Sequence, residues 1–394
     1  MSNAMDKLFM ETGWVSLNKK GEELCGDRVE IRPQKANGDF TMVLADGLGS
    51  GVKANILSTL TSKILGTMID SDVPIEDCVE TIAATLPVCK VRGVAYATFT
   101  ILKVHQGEIT LVQYDNPDVI IIRDGKHFDY PKQEKVMSGK KIYETHMPIQ
   151  LGDVFIAMSD GVIHAGVGQS LNFGWERKNV VEYVDTHFNR QMSARAVAGL
   201  ISDACNDLYM GLPGDDTTVA VLRIRERMQV SLMIGPPVNP ADDEKVMQLF
   251  FNGEGKTVVC GGTTSTIAAK YLHTKVQTKI DYLDPEIPPI GYIDGVDLCT
   301  EGVLTMKRVV EYAKKYIDTS GAVREWVGRR DGASLICQML FEEATDVRLF
   351  VGRAMNPAHQ NPDMPIDLSI KLRLMEDLHL YLGKMGKRVQ ISYY

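Results

Sequence analysis

Leu44-Ala45-Asp46-Gly47-Leu48-Gly49-Ser50-Gly51 closes an apolar run that begins at Phe40 and opens onto residues with helical spacing. The run ends as a strand does, at Asp-Gly, and the glycines that follow allow backbone groups to approach a ligand closely. Two further blocks repeat the pattern. Met158-Ser159-Asp160-Gly161-Val162 ends the run from Asp153, and Gly214-Asp215-Asp216-Thr217-Thr218-Val219 opens another run to Ile224. A fourth acid, Asp27, stands ahead of them in Cys25-Gly26-Asp27-Arg28-Val29. An unpaired charge at the end of an apolar strand is costly, and a hard divalent cation would give such carboxylates a partner. Asp-Gly on its own marks a turn, the reading for Asp124-Gly125, Asp294-Gly295 and Asp331-Gly332.

Around these blocks the first half, to Glu226, mixes strand and helix signals. Val52, Ile56, Leu57, Leu60, Ile64, Leu65 and Met68 fall at helical spacing and predict an amphipathic helix. Residues 95–123 read as paired strands: 97–104 turns at Gln106-Gly107-Glu108 into 109–114, Asn116-Pro117-Asp118 breaks the run, and 119–123 follows before a second turn at Asp124-Gly125. A helix is expected over 193–210. The expectation is a layered α+β domain over residues 5–226. After the charged stretch Arg223-Ile224-Arg225-Glu226-Arg227, strands at 230–235, 257–260, 347–351 and 388–393 alternate with helices at 240–251, 264–273, 304–317 and 368–382. That alternation predicts a smaller α/β domain over 227–394 with a mainly parallel sheet.

The 394 residues, 44% hydrophobic and 24% charged, suffice for two cores. A formal charge of -8 argues against a general nucleic-acid or anionic-membrane surface. Seven scattered cysteines without a C-x-x-C pair argue against a zinc site or a disulfide framework, and a reducing cytoplasm is the expected setting. Apolar runs stay short of a membrane span, no secretory leader is expected, and Met1-Ser2-Asn3-Ala4 ahead of Met5 carries no fold meaning.

The ordered series Gly26-Asp27, Asp46-Gly47-Leu48-Gly49-Ser50-Gly51, Met158-Ser159-Asp160-Gly161 and Asp215-Asp216-Thr217-Thr218 resembles the SpoIIE family, bacterial relatives of the type-2C metal-dependent protein phosphatases. The resemblance implies an αββα sandwich and hydrolysis of phosphoserine or phosphothreonine on a protein. It implies two or more Mn²⁺ or Mg²⁺ ions. Asp46 would bridge two of them, the Gly47 carbonyl would join one, and Asp160 and Asp215 would hold the other. Asp27 would be a ligand directly or through water, and Asp216 stands where relatives often carry Asn. An ion-activated water would attack phosphorus, so no nucleophilic Cys or Ser is needed. Type-2C relatives grip phosphate with an N-terminal arginine; Arg28 and Arg32 lie nearby without matching that motif, and a solvated strand face is their simpler reading. His164 is a candidate proton donor or a plain loop residue, and Cys25 a small packing residue or an oxidation-sensitive one. The family also implies a phosphoprotein partner such as an anti-sigma-factor antagonist; on charge and apolar-run length neither nucleic acid nor membrane is an expected partner, and a homodimer is left open.

In the second half, Cys260-Gly261-Gly262-Thr263-Thr264-Ser265 places glycines and hydroxyls at the start of a helix, where free N–H groups suit a phosphate or carboxylate. Hydroxyl capping of the helix by Thr263, Thr264 or Ser265 is the simpler reading. Asp294-Gly295 and Asn356-Pro357-Ala358-His359 would line the same mouth. This half fits a ligand-sensing or partner-docking module. The competing readings are a non-catalytic scaffold whose second half binds a nucleotide or small anion, and a second enzyme near Gly261.

Overall fold

A computed structural model describes residues 7–32, 34–35, 37–85, 97–137, 139–278, 290–318, 325–354 and 366–394. These residues form two compact units that divide between Glu226 and Arg227. Elements of the first unit are β1 (Leu8–Leu17), β2 (Asp27–Arg32), β3 (Phe40–Gly47), α1 (Gly51–Asp70), α2 (Ile75–Thr85), β4 (Ala97–His105), β5 (Glu108–Tyr114) and β6 (Ile120–Arg123). They continue with β7 (Lys126–His127), β8 (Gln133–Met137), β9 (Lys140–Pro148), β10 (Val154–Met158), α3 (Asp160–Ile163), α4 (Glu176–His187), α5 (Ala194–Leu208) and β11 (Thr217–Glu226).

Two antiparallel sheets, β1-β11-β10-β6-β7 and β2-β3-β4-β5-β9-β8, lie face to face. Met42, Leu44, Leu102 and Leu111 of one meet Phe155, Ala157, Ala220 and Leu222 of the other. The outer face of the six-stranded sheet is covered by Leu65 and Ile69 of α1 and Val79 and Ile82 of α2. Val180 and Val184 of α4 and Val197 and Ile201 of α5 cover the five-stranded one. The result is the expected αββα sandwich. It also explains the unbroken run from Phe40 to Ala45. Alternate β3 side chains enter the inter-sheet core and the α1 layer, so both faces must be apolar.

Two expectations need correction. Strand 119–123 follows the β4–β5 hairpin in sequence, yet β6 pairs with β10 in the opposite sheet. Helix α1 buries only part of the stripe that its spacing suggested: Leu57 and Leu65 are buried, and Ile64 and Met68 pack against the core. Val52, Ile56 and Leu60 are 63%, 52% and 46% exposed, whereas Ala54, Ser58, Thr61, Ser62 and Gly66 face inward. Small residues let the helix backbone lie close to β3, and the hydroxyls bond inside the helix, as Thr61 Oγ1 does to the Leu57 carbonyl at 2.8 Å.

The second unit contains β12 (Gln229–Ile234), α6 (Asp243–Phe251), β13 (Lys256–Cys260), α7 (Gly262–Tyr271), β14 (Gln277–Thr278), β15 (Gly291–Tyr292) and β16 (Leu298–Thr300). α8 (Val303–Asp318), α9 (Gly332–Cys337), β17 (Asp346–Val351), α10 (Ile366–Lys384) and β18 (Arg388–Tyr393) complete it. Its sheet order is β14-β15-β16-β13-β12-β17-β18, parallel from β16 to β18 with the short β14 and β15 antiparallel. Helices α8 to α10 cover one face and α6 and α7 the other. Asp331-Gly332 is a helix start, not a turn: Asp331 Oδ1 accepts from the Ser334 N–H at 2.9 Å.

One ion pair closes the floor of the first unit. Arg123 donates through Nε and Nη2 to the two oxygens of Asp153, at 2.8 and 2.7 Å, and Asp153 is 1% exposed. Removing one partner strands the other charge. Asp153→Ala is therefore expected to lower the unfolding free energy by about 3–5 kcal/mol in urea titration. A loss under about 1 kcal/mol would show that the pair behaves as an exposed one.

Candidate functional site

Antiparallel register places Asp27, the first residue of β2, directly opposite Asp46, the penultimate residue of β3. Like charges facing across a ladder repel. Asp27 is 4% exposed, and neither of its oxygens finds a hydrogen-bond partner among the described residues. Beyond Asp46, the backbone N–H of Gly47 donates to the Gly26 carbonyl at 3.2 Å. A Cβ on Gly47 would drive into the Ala54 carbonyl of α1, so only glycine fits there.

The other sheet delivers the remaining acids. Asp160 opens α3, after Ser159 has tied itself to β11. The Ser159 N–H donates to the Thr218 carbonyl at 3.0 Å, and Ser159 Oγ accepts from the Thr218 N–H at 2.8 Å. Gly161 presses on the backbone of Asp216 with no room for a Cβ. Asp215 and Asp216 immediately precede β11. Asp216 Oδ1 accepts from the Lys19 N–H at 3.0 Å, while its buried Oδ2 is unpartnered among the described residues.

Electrostatics ties the acids into one neighbourhood. Burial first, then the charges of Asp27, Asp160 and Asp215, push the Asp46 carboxyl far above the usual carboxylate range. Burial also raises Asp27 and the Asp216 charge adds to it, while the neighbouring Ser159 and Thr218 side chains pull it down. Asp160 is raised by burial and by Asp215, against the opposing pull of exposed His164. Asp216 is raised by burial, with Asp215 contributing. The structure thus brings together Asp27, Asp46, Asp160, Asp215 and Asp216. Among the described residues no three His, Cys, Asp or Glu side chains form a ready-made metal cage. The backbone fixes the neighbourhood: the register sets Asp27 opposite Asp46, and β10 and β11 deliver Asp160 and Asp215. Their chemistry still fits a hard divalent cation. The donors are all carboxylate oxygens, three of them buried without a hydrogen bond among the described residues.

Lys19 was not singled out by its sequence context, a charged loop with no motif. Its ammonium stands 3.5 Å from Asp215 Oδ1, beside the Asp216 bond of its own N–H. The nearby arginines lie elsewhere. Arg32 Nη2 donates to Thr67 Oγ1 of α1 at 2.5 Å and pairs with Glu30, while exposed Arg28 alternates to the face away from Asp27. Burial and the Asp27 charge push the Cys25 thiol up, which disfavours the reactive thiolate.

In the second unit Gly261, with φ of 106°, caps α7, and no side chain caps it among the described residues. The expected hydroxyl cap is absent there because the helix starts at Gly262, which puts Thr263, Thr264 and Ser265 inside it; Ser265 Oγ instead donates back to the Gly261 carbonyl at 2.8 Å. Gly262 and Thr263 are exposed, Thr264 and Ser265 buried. Asp294-Gly295 does form a turn, but it precedes β16, which runs parallel to β13; it therefore sits at the amino end of the strands and not at the mouth by Gly261. Residues 356–359 fall outside the described residues.

Residues 36–225 match the family model Stage II sporulation protein E (SpoIIE). The N-terminal unit therefore carries a SpoIIE domain. No curated protein matches the chain. Among solved structures, it is similar at 18% identity to the PP2C phosphatase domain and regulatory-domain fragment of SpoIIE from Bacillus subtilis. That likeness covers 57% of this chain and 66% of that one, with a TM-score of 0.48. The RsbU and RsbW domains of a Mycobacterium tuberculosis protein are 16% identical over 63% of this chain and 71% of theirs, with a TM-score of 0.45. The catalytic domain of the serine/threonine phosphatase PstP, solved with 2 manganese ions, is 16% identical over 56% of this chain and 100% of its own, with a TM-score of 0.38.

The tight seats of the two glycines give a direct check on this geometry. Gly47→Ala is expected to lower stability by about 1–3 kcal/mol in chemical denaturation, because α1 must shift away from the strand end. An unchanged midpoint would mean that α1 is not seated against Gly47.

Proposed function

We propose that residues 5–226 form a divalent-metal-dependent phosphatase acting on phosphoserine or phosphothreonine of a regulatory protein. The observation that carries the reading is the buried Asp27–Asp46 pair, set in register, with two unpartnered oxygens and with Asp160 and Asp215 acting on the same carboxyl. Two or more Mn²⁺ or Mg²⁺ ions bound there would supply Lewis acidity and an activated water for in-line attack on phosphorus.

The chain's own groups have separable tasks. Asp46 and Asp27 offer oxygens from one sheet, Asp160 and Asp215 from the other, and the Gly47 backbone lies beside Asp46. Asp216 is oriented by the Lys19 N–H and completes the acidic wall. The Lys19 ammonium is the cation at the rim, where a phosphoryl oxygen arrives. Cys25 takes no covalent part, in keeping with its raised thiol pKa. Family resemblance suggests an anti-sigma-factor antagonist as substrate. The six described cysteines are all free, and no helix among the described residues is long and apolar enough to cross a membrane; both support a cytoplasmic setting. Residues 227–394 act as an accessory unit, with Gly261, Gly262, Thr263, Thr264 and Ser265 as its anion-binding segment.

A non-catalytic scaffold is the second reading, favoured by the lack of a ready-made three-ligand cage among the described residues. Turnover separates the two. With Mn²⁺ the protein is expected to hydrolyse p-nitrophenyl phosphate and phosphoserine peptides, and to lose that activity to chelator. Asp46→Asn and Asp160→Asn are each expected to cost more than about 100-fold in kcat/KM, beyond the usual effect of residues that merely support a ligand, with circular dichroism unchanged. Full activity in either variant would remove that residue from the site.

A further inference from the structure

The segments that leave and enter the acidic site share an apolar rim. From Asp160 the chain passes through α3 into a tight loop in which the Leu171 N–H donates to the Gly166 carbonyl at 2.9 Å and the Gly168 N–H to the Leu171 carbonyl at 3.2 Å. Toward Asp215 it runs through Tyr209 to Pro213, with the Gly211 N–H donating to the Asn206 carbonyl at 2.8 Å and the Leu212 N–H to the Tyr209 carbonyl at 2.9 Å. The two segments are laced together. Ser170 Oγ donates to the Leu208 carbonyl at 2.6 Å, Gln169 Nε2 to the Leu212 carbonyl at 3.3 Å, and Tyr209 Oη to the Gly161 carbonyl at 2.8 Å.

Large apolar side chains stand out from this bonded frame. Val167 is 47% exposed, Phe173 82%, Met210 67% and Leu212 46%. A single exposed hydrophobe needs no explanation, but four on two loops joined by hydrogen bonds suggest a contact surface. Met210 holds φ at +53° as the left-handed residue that stops α5, with the Gly211 N–H returning to the Asn206 carbonyl, so the helix ending itself fixes where this side chain stands. The closed backbone bonding presents these side chains in a fixed arrangement, so little ordering is required on contact.

We propose that this rim docks the phosphoprotein substrate through apolar side chains flanking its phosphorylated serine or threonine. Both loops are covalently continuous with the acids, Asp160 on one side and Asp215 on the other. A polypeptide held with its phosphoryl group at those acids has flanking residues that can cover these side chains, which a small phosphorylated metabolite lacks. With the acids engaged by cations, the large exposed side chains left on these two loops are mainly apolar, so recognition of the flanking residues falls to hydrophobic contact. The proposal rests on the phosphatase reading of the acidic site and adds the chemistry by which a substrate is chosen.

Two phosphoserine peptides, one flanked by Leu and Val and one by Ser and Asp, would be compared in the full chain with Mn²⁺, using p-nitrophenyl phosphate as the gauge of the chemical step. The apolar-flanked peptide is expected to be favoured about tenfold in kcat/KM. In Phe173→Ser and Leu212→Ser its advantage, taken relative to the aryl phosphate, should fall toward one. Fluorescence anisotropy with a non-hydrolysable phosphonate version of the peptide should show the matching loss of affinity. Both positions are exposed, and thermal melts check that the variants fold. Equal turnover of the two peptides by the unaltered protein would overturn the proposal, as would selectivity that survives both substitutions. So would a concentration-dependent dimer abolished by them, which would assign the rim to a second copy. Failure to hydrolyse any of the three compounds would instead remove the phosphatase reading itself.

Discussion

Two carboxylates facing each other across a β-ladder are the constraint on which the first unit turns. Asp27 and Asp46 are opposed by register, and register cannot slip by one residue without turning Met42 and Leu44 out of the inter-sheet core. The hydrophobic layers thus hold in place a pair that electrostatics would separate. That is the sense in which the fold makes the site: the apolar bulk of the sandwich stabilises a locally unfavourable arrangement, and a divalent cation is the partner whose chemistry relieves it.

Much of this was legible because it is local. The run from Phe40 to Ala45 carried the signature of a strand buried on both sides, and each Asp block sat where a strand met a turn. The acids could be proposed as neighbours only through their ordered resemblance to a family, since no periodicity relates residues as far apart as Asp27 and Asp215. What escaped was decided by tertiary packing. β6 follows a hairpin of one sheet and joins the other, a choice made by which core its isoleucines complete. Helix α1 turns Val52, Ile56 and Leu60 outward because close approach to β3 matters more than side-chain hydrophobicity along that face. Lys19 gains its place from the folding of one loop against the residues before β11, a contact between residues nearly two hundred positions apart.

The second unit shows the same division. Strand–helix alternation led to a mainly parallel sheet, and the order β16-β13-β12-β17-β18 realises it. Details at the strand ends did not follow from composition. Gly261 takes the capping position that the hydroxyls were expected to fill, and Asp331 starts a helix where Asp-Gly suggested a turn. At Asp331 a hydrogen bond from the Ser334 N–H decided between turn and helix start, and at Gly261 the point where the helix begins decided which residue caps it.

The double burial of β3 has a consequence for motion. Its amides pair with β2 on one side and β4 on the other, and both of its faces are dry from Phe40 to Ala45. A segment so enclosed has no low-energy fluctuation that admits solvent, so its amide protons should exchange only when the whole unit opens. Asp46 is thereby mounted on one of the least mobile parts of the molecule, and adjustments needed for binding or release fall to the segment between α5 and β11 that carries Asp215.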